Sequence, residues 1–200
     1  MDNFVYLASQ SPRRRQLLEQ LGVHYELLLP DANEDAEALE VALENEVPAT
    51  YVKRVTRLKL DAAVARLKHR QLIDAPILCA DTTVALGRII YGKPQDANDA
   101  ERMLGELSGQ THHVLTSIAL HSAQQLYEAL SSSQVCFEAM TSMEISNYVA
   151  SGEPMGKAGA YAVQGRAAAY ISRINGSYSG IMGLPLCETS LLLRRAGLKI

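Results

Sequence analysis

Tryptophan is absent from this 200-residue chain, and phenylalanine occurs only twice. Cysteine is scarce as well: Cys79, Cys136 and Cys187 stand alone, odd in number, with no CxxC and no histidine at ligand spacing. That pattern argues against a disulfide frame or a zinc site and suits a reducing cytoplasm. Positive charge is not in excess, with 19 Lys and Arg against 22 Asp and Glu and a net charge of −3. A general nucleic-acid binder needs such an excess, so any positive site must be local. No apolar run approaches the ~20 residues of a membrane span, and the first residues carry no signal-peptide pattern. The expectation is a soluble, cytoplasmic protein that binds neither membrane nor nucleic acid. HExxH and GxSxG are missing too, which sets aside metalloprotease and serine-hydrolase readings. No internal repeat or linker divides the chain. Its 48% apolar content and its length suit one domain with a substantial core, with room for two lobes.

What is present begins with "LASQSPRRRQLLEQLG", residues 7–22. Phe4 to Ala8 reads as a buried strand, Ser11 as an N-cap, Pro12 as the first helical residue and Gly22 as the stop. Arg13, Arg14 and Arg15 then crowd a helix N-terminus that already carries partial positive charge. Arg15 suits a solvated face. Arg13 and Arg14, beside the Ser9 and Ser11 hydroxyls, suit a bound polyanion whose charge reverses the unfavourable dipole term.

Residues 31–46 hold seven acidic residues and no basic ones, an exposed connection. A helix from about Ala49 to Arg70 follows, with Tyr51, Val52, Val55 and Leu58 as its buried stripe. It carries Lys53, Arg54, Arg57, Lys59, Arg66, Lys68 and Arg70, most of which read as surface charge. In "ILCADTTVALGRIIYGKP", Ile77–Leu86 is a strand, Gly87-Arg88 a hairpin loop and Ile89–Tyr91 the return strand. Pairing Leu86 with Ile89 projects Lys93 across from Thr82, one residue from Asp81, so that a bulge or twist is needed for the two charges to meet. Asp81 follows an apolar run, and burying it requires a partner. Two roles fit: a strand-end aspartate bonded to Thr82 and Thr83, or a general base or metal ligand at a sheet end.

Asp96 caps a helix to Leu107, Val114–Leu120 and Leu126–Phe137 are strands, and Thr141 with Glu144 forms a capping box. "GKAGAYAVQGRAAAY" is glycine-rich but matches neither GxGxxG nor a P-loop. Within it, Gln164 carries an amide able to donate and accept at a pyrimidine edge. His112 and His113 sit at a strand entry and face opposite ways, so they do not share a metal. Ala168–Ile174 is a strand, and Pro185 opens a last helix. Alternating helices and strands with mixed hairpins predict an α/β fold with a mixed twisted sheet and flanking helices.

Together "LASQSPRRRQLLEQLG", "CADTTVAL", "GKPQDANDAERMLGELSGQTH", "ISNYVASGEPMGKAGAYAVQG" and "INGSYSGIMGLPL" resemble the Maf family of nucleoside triphosphate pyrophosphatases over nearly the whole chain. The last two motifs resemble the branch acting on dTTP and UTP. The resemblance implies one Maf/ITPase-like domain over residues 1–200, two lobes around a central cleft, and a homodimer. It implies release of the monophosphate and pyrophosphate, with Asp81 as proton acceptor. Arg13, Thr82 and Gln164 would stand where substrates are told apart, and Ser9, Arg14, Glu34, Lys59 and Lys93 would line the cleft. A divalent cation, Mg²⁺ or Mn²⁺, would be held by Glu34 and Asp81. Asn33 departs from a family pattern that often has two adjacent acids here, which implies weaker metal affinity. Two other readings stay open: a nucleotide-binding regulator of cell division with incidental hydrolysis, and a 7-methyl-GTP pyrophosphatase.

Overall fold

In the computed structural model of the chain, residues 4–31, 34 and 38–200 are described. A seven-stranded mixed sheet runs through them: β1 (Phe4–Leu7), β2 (His24–Leu27), β3 (Ile77–Leu86), β4 (Ile89–Tyr91), β5 (Thr111–Ser122), β6 (Gln125–Phe137) and β7 (Ile171–Asn175). The order is β2-β1-β3-β5-β6-β7, with β4 added to β3. β1 runs parallel to both β2 and β3, and the remaining pairs are antiparallel. The mixed sheet with flanking helices is therefore as the sequence predicts.

β3 is the strand that positions the site. One of its edges is zipped to β5 without a break from Ile77 to Ala85. The other edge is shared: β1 pairs with Ile77 and Leu78, and β4 pairs with Val84, Ala85 and Leu86. Between those two partners the edge carries no neighbouring strand among the described residues, and Asp81, Thr82 and Thr83 lie in the gap. The predicted Leu86–Ile89 pairing is present, without a bulge.

Helix α1 (Pro12–Gln20) starts after Ser11 with Pro12 in its first turn, as expected. Helix α2 (Pro48–His69) packs on β3 and β5. Tyr51, Val52 and Val55 of its predicted stripe are buried, and only Leu58 departs from the prediction. Leu58 is 37% exposed, and the inward face runs through Val52, Val55, Thr56, Leu60, Ala63 and Leu67. A period of 3.6 residues places Lys59 and Arg66 on that same face, so these two charges point inward and not into solvent. Arg66 is 7% exposed.

Asp96 caps α3 (Ala97–Leu107) through Asp99 N, and the Thr141–Glu144 capping box opens α4 (Ser142–Ala150). These helices share a core with the far end of β3, with β4 and with residues 160–167. A second core joins β1, α1 and the near half of β3 to α6 (Leu186–Arg195). Met182, ending the short helix α5 (Tyr178–Met182), packs against both. Three local expectations are corrected. β2 was not foreseen, and the β5–β6 hairpin is longer than predicted, closing through Ala123 and Gln124 at positive φ. Ala168–Ile174 is not one strand: a 3₁₀ turn over Arg166–Tyr170 precedes β7. Among the described residues no helix is long and apolar enough to cross a membrane.

Candidate active site

A cavity of about 650 Å³ opens over the unpaired stretch of β3. That volume suits a small-molecule ligand of nucleotide size. All nine residues singled out from the sequence line it: Ser9, Arg13, Arg14, Glu34, Lys59, Asp81, Thr82, Lys93 and Gln164. Asn33 lies outside the described residues.

One wall is the N-terminus of α1. Ser11 makes no side-chain cap bond, and the first turn holds no acidic residue. Arg14 is clamped by neutral acceptors: Nε donates to Gly183 O at 2.8 Å, Nη1 to Ser9 Oγ at 3.0 Å and Nη2 to Thr82 Oγ1 at 3.4 Å. Arg13 Nε donates to Met182 O at 3.2 Å. Among the described residues neither guanidinium is paired with a carboxylate. Burial pushes both pKa values down, with Asp81 partly offsetting this at Arg14. The clamp extends behind Thr82, whose Oγ1 lies 2.9 Å from Thr116 Oγ1, and Thr116 in turn donates to Gly180 O at 2.7 Å. Gly183 adopts φ +119°, a backbone that favours glycine, and this turn aims its carbonyl at Arg14.

The opposite wall is a chain of alternating charges. Lys59 Nζ, from α2, stands 2.5 Å from Asp81 Oδ1 and 2.7 Å from Glu40 Oε1. Lys93 Nζ lies 3.1 Å from Glu40 Oε2. The projected approach of Lys93 to Asp81 is thus realised as a relay through Glu40 and Lys59. Burial raises the Asp81 pKa, and Lys59 and Arg14 pull it back only in part. At Glu40 burial acts upward, but Lys59 and Lys93 outweigh it and hold the carboxyl below its usual range.

Glu34 lines the cavity with its carboxylate engaged by the Arg66 guanidinium, which also donates to Leu28 O at 2.9 Å. The Arg66 hydrogen bonds hold Glu34 down at about 2. Among the described residues no three His, Cys, Asp or Glu side chains converge as a metal-binding group. Glu34 and Asp81 offer hard carboxylate oxygens, the donor type that suits a divalent cation such as Mg²⁺.

The roof is the glycine-rich segment. Gly159 (φ +68°) and Ala160 (φ +60°) both take left-handed backbone, and a Cβ on Gly159 would meet Val84 at 2.8 Å. Gly159 N donates to Gly92 O at 3.0 Å, fastening the segment to the end of β4. Tyr161 lines the cavity, and its hydroxyl lies 2.8 Å from His112 Nε2. His112 is fully buried, and burial lowers its pKa to about 4, which keeps it neutral. His113 points to solvent, as the alternation of a strand requires. Gln164 stands exposed on the cavity wall.

Glu40, Arg66 and the His112–Tyr161 pair escape the sequence reading. For Arg66 a signal exists, because its 3.6-residue spacing sets it beside Ala63 and Leu67 on the apolar side of the helix. Glu40 has none, being one acid among seven in its segment.

A family model described as Maf-like protein matches residues 4–196. The chain belongs to the Maf family. A relative in Albidiferax ferrireducens named dTTP/UTP pyrophosphatase is 66% identical over 100% of both chains. A protein of the same name in a Polaromonas species is 68% identical over 99% of this chain and 98% of its own. Among solved structures, the Staphylococcus aureus Ham1 protein matches at TM-score 0.40 and 11% identity, over 66% of this chain and 71% of its own.

Proposed function

We propose that this Maf-family chain hydrolyses dTTP and UTP to the monophosphate and pyrophosphate. The observation that carries the reading is the shared cavity: guanidinium groups that pair with no carboxylate among the described residues on one wall, and a buried aspartate on the floor. The relatives named dTTP/UTP pyrophosphatase, at 66% and 68% identity, support the same substrate class.

In this reading Arg13 and Arg14, with Ser9 and the open amides of the α1 N-terminus, bind the phosphate chain. Asp81 orients a water molecule for in-line attack on the α-phosphorus and takes its proton. Its raised pKa matters here, since an aspartate at its ordinary ~3.9 is a weak base. Lys59 and Lys93 neutralise the charge gathering on the leaving pyrophosphate. Gln164 reads the pyrimidine edge by donating and accepting. Thr82 contributes by holding Arg14, to which it is bonded. Asp81, with Glu34 once released from Arg66, would supply oxygen ligands to a divalent cation. What Mg²⁺ or Mn²⁺ brings when bound is charge neutralisation on phosphate oxygens and a lowered water pKa. The same reading takes the protein as a cytoplasmic homodimer that binds no nucleic acid.

The test is a panel of UTP, dTTP, CTP, GTP and 7-methyl-GTP, with Mg²⁺ or Mn²⁺, in ¹⁸O-water. The expected products from UTP and dTTP are pyrophosphate and a monophosphate carrying the label. Label in pyrophosphate, binding without turnover, or a preference for 7-methyl-GTP would each overturn the reading.

A further inference from the structure

Glu40 belongs to a 3₁₀ turn, Ala38–Glu40, in the acidic connection, yet its side chain is only 24% exposed. Its carboxylate reaches into the cavity and collects two ammonium groups, Lys59 Nζ at 2.7 Å and Lys93 Nζ at 3.1 Å. Tyr51 holds the turn in place by donating its hydroxyl to Glu40 O at 2.8 Å. A carboxylate bridging two converging lysines fills, with two anionic oxygens, a place where phosphate oxygens would accept the same ammonium groups. On the facing wall, Arg13 and Arg14 have no such internal anion among the described residues. The cavity thus has one end open to an anion and one end already filled by the chain's own carboxylate.

We propose that Glu40 occupies the seat of the substrate's terminal phosphates and selects for the triphosphate chain because it must be displaced. This rests on the functional reading given above. A monophosphate anchored at the arginine wall leaves the Lys59–Glu40–Lys93 contacts intact. A triphosphate anchored there extends to the lysines and exchanges several negative charges for Glu40's one. Free pyrophosphate, lacking the nucleoside's hold on the cavity, competes with Glu40 on poor terms. Its apparent affinity falls by the fraction of time the seat is vacant. After cleavage the same competition expels the product. Glu40 is therefore a specificity-determining residue for phosphate-chain length.

The experiment is calorimetric titration of pyrophosphate and UMP into the full chain with EDTA present, comparing wild type with Glu40→Gln. The expected result is a pyrophosphate affinity ~tenfold tighter in Glu40→Gln, with UMP affinity unchanged. Loss of a merely structural contact would weaken binding, so a gain reports the removal of a competitor. Equal or weaker pyrophosphate binding in the variant overturns the proposal, as does an equal gain for UMP. If Glu40→Gln does not fold, Glu40→Asp serves: its shorter side chain cannot span both lysines, and a smaller gain is expected. No gain from Glu40→Asp overturns the proposal as well. Wild-type turnover of UTP is measured in parallel with metal present. Its absence would sink the functional reading alone, since the metal-free pyrophosphate titration decides Glu40 independently.

Discussion

The two walls of the cavity solve the same electrostatic problem in opposite ways. On the α1 side, Arg14 is fixed by a carbonyl and two hydroxyls, all neutral, so its geometry is set while its charge is left unspent. On the α2 side, Lys59 and Lys93 are fixed by carboxylates, so geometry and charge are settled together. The first arrangement keeps a cation in wait for an anion, and burial, which pushes the Arg14 pKa down, leaves that waiting charge poorly solvated. The second is an exchange site, where an incoming anion must outbid one already present. Guanidinium suits the first task because its planar fork donates to several fixed partners, and ammonium suits the second because it is a compact point charge.

Asp81 is where the two walls meet, being bonded to Lys59 and within the field of Arg14. Asp81→Asn is expected to give the largest effect: turnover of UTP falls ~10²–10⁴-fold while thermal stability holds or rises. Stability should not fall because neutralising a buried carboxylate removes a desolvation penalty, and Lys59 keeps Glu40 as partner. Pyrophosphate release and a melting curve measure the two. A variant that melts earlier and turns over normally would remove Asp81 from the chemistry.

Arg14→Lys comes next and tests whether geometry or charge alone defines the first wall. A single ammonium cannot reach Gly183 O, Ser9 Oγ and Thr82 Oγ1 together, so kcat/KM is expected to drop roughly tenfold to a hundredfold, a loss of ~1.4–3 kcal/mol. Initial-rate kinetics across UTP concentrations would show it, and an unaltered kcat/KM would mean that charge suffices.

Gly159→Ala probes the roof that both walls share. It demands left-handed backbone and places a methyl group 2.8 Å from Val84. The expected cost is ~1–3 kcal/mol by urea titration, with selectivity for UTP over CTP reduced.

The smallest effect concerns Glu34, which lines the cavity and pairs with Arg66. Its pKa is lowered to about 2, so its pairing with Arg66 contributes above the unfolded value near ~4.3 and fades as pH falls towards 2. The carboxylate is 35% exposed, and solvent screening limits the contribution to under ~1 kcal/mol. Glu34→Gln should therefore lower stability slightly at pH 7, with the gap to wild type closing near pH 2. A gap that widened on acidification would reverse the assigned sign.

Legibility in the sequence followed how local the determining chemistry was. Pro12, Asp96, the Thr141–Glu144 pair and Gly87-Arg88 act within a turn of chain, and the elements they bound lie where expected. The β5–β6 turn at Ala123-Gln124 carries no glycine or asparagine to announce its positive φ. β2, an exposed edge strand of four residues, shows no alternation to read. In the site, Arg13, Arg14 and Asp81 stood out because each is costly where it sits: cations at a helix start, an acid in an apolar strand. Glu40 is costly only once Lys59 and Lys93 are beside it.

From the residues alone came the opening strand, loop and helix, the capped helices, the β3–β4 hairpin and the family motifs, because hydrophobic period and capping act over a few neighbours. Only the tertiary structure decided that β1 and β4 share one edge of β3 and leave Asp81 in the gap. It alone set Arg14 against neutral partners and Lys59 between two carboxylates. These contacts join residues up to 169 positions apart. Burial and charge compensation at such separations depend on how the sheet is assembled, and no local pattern encodes that.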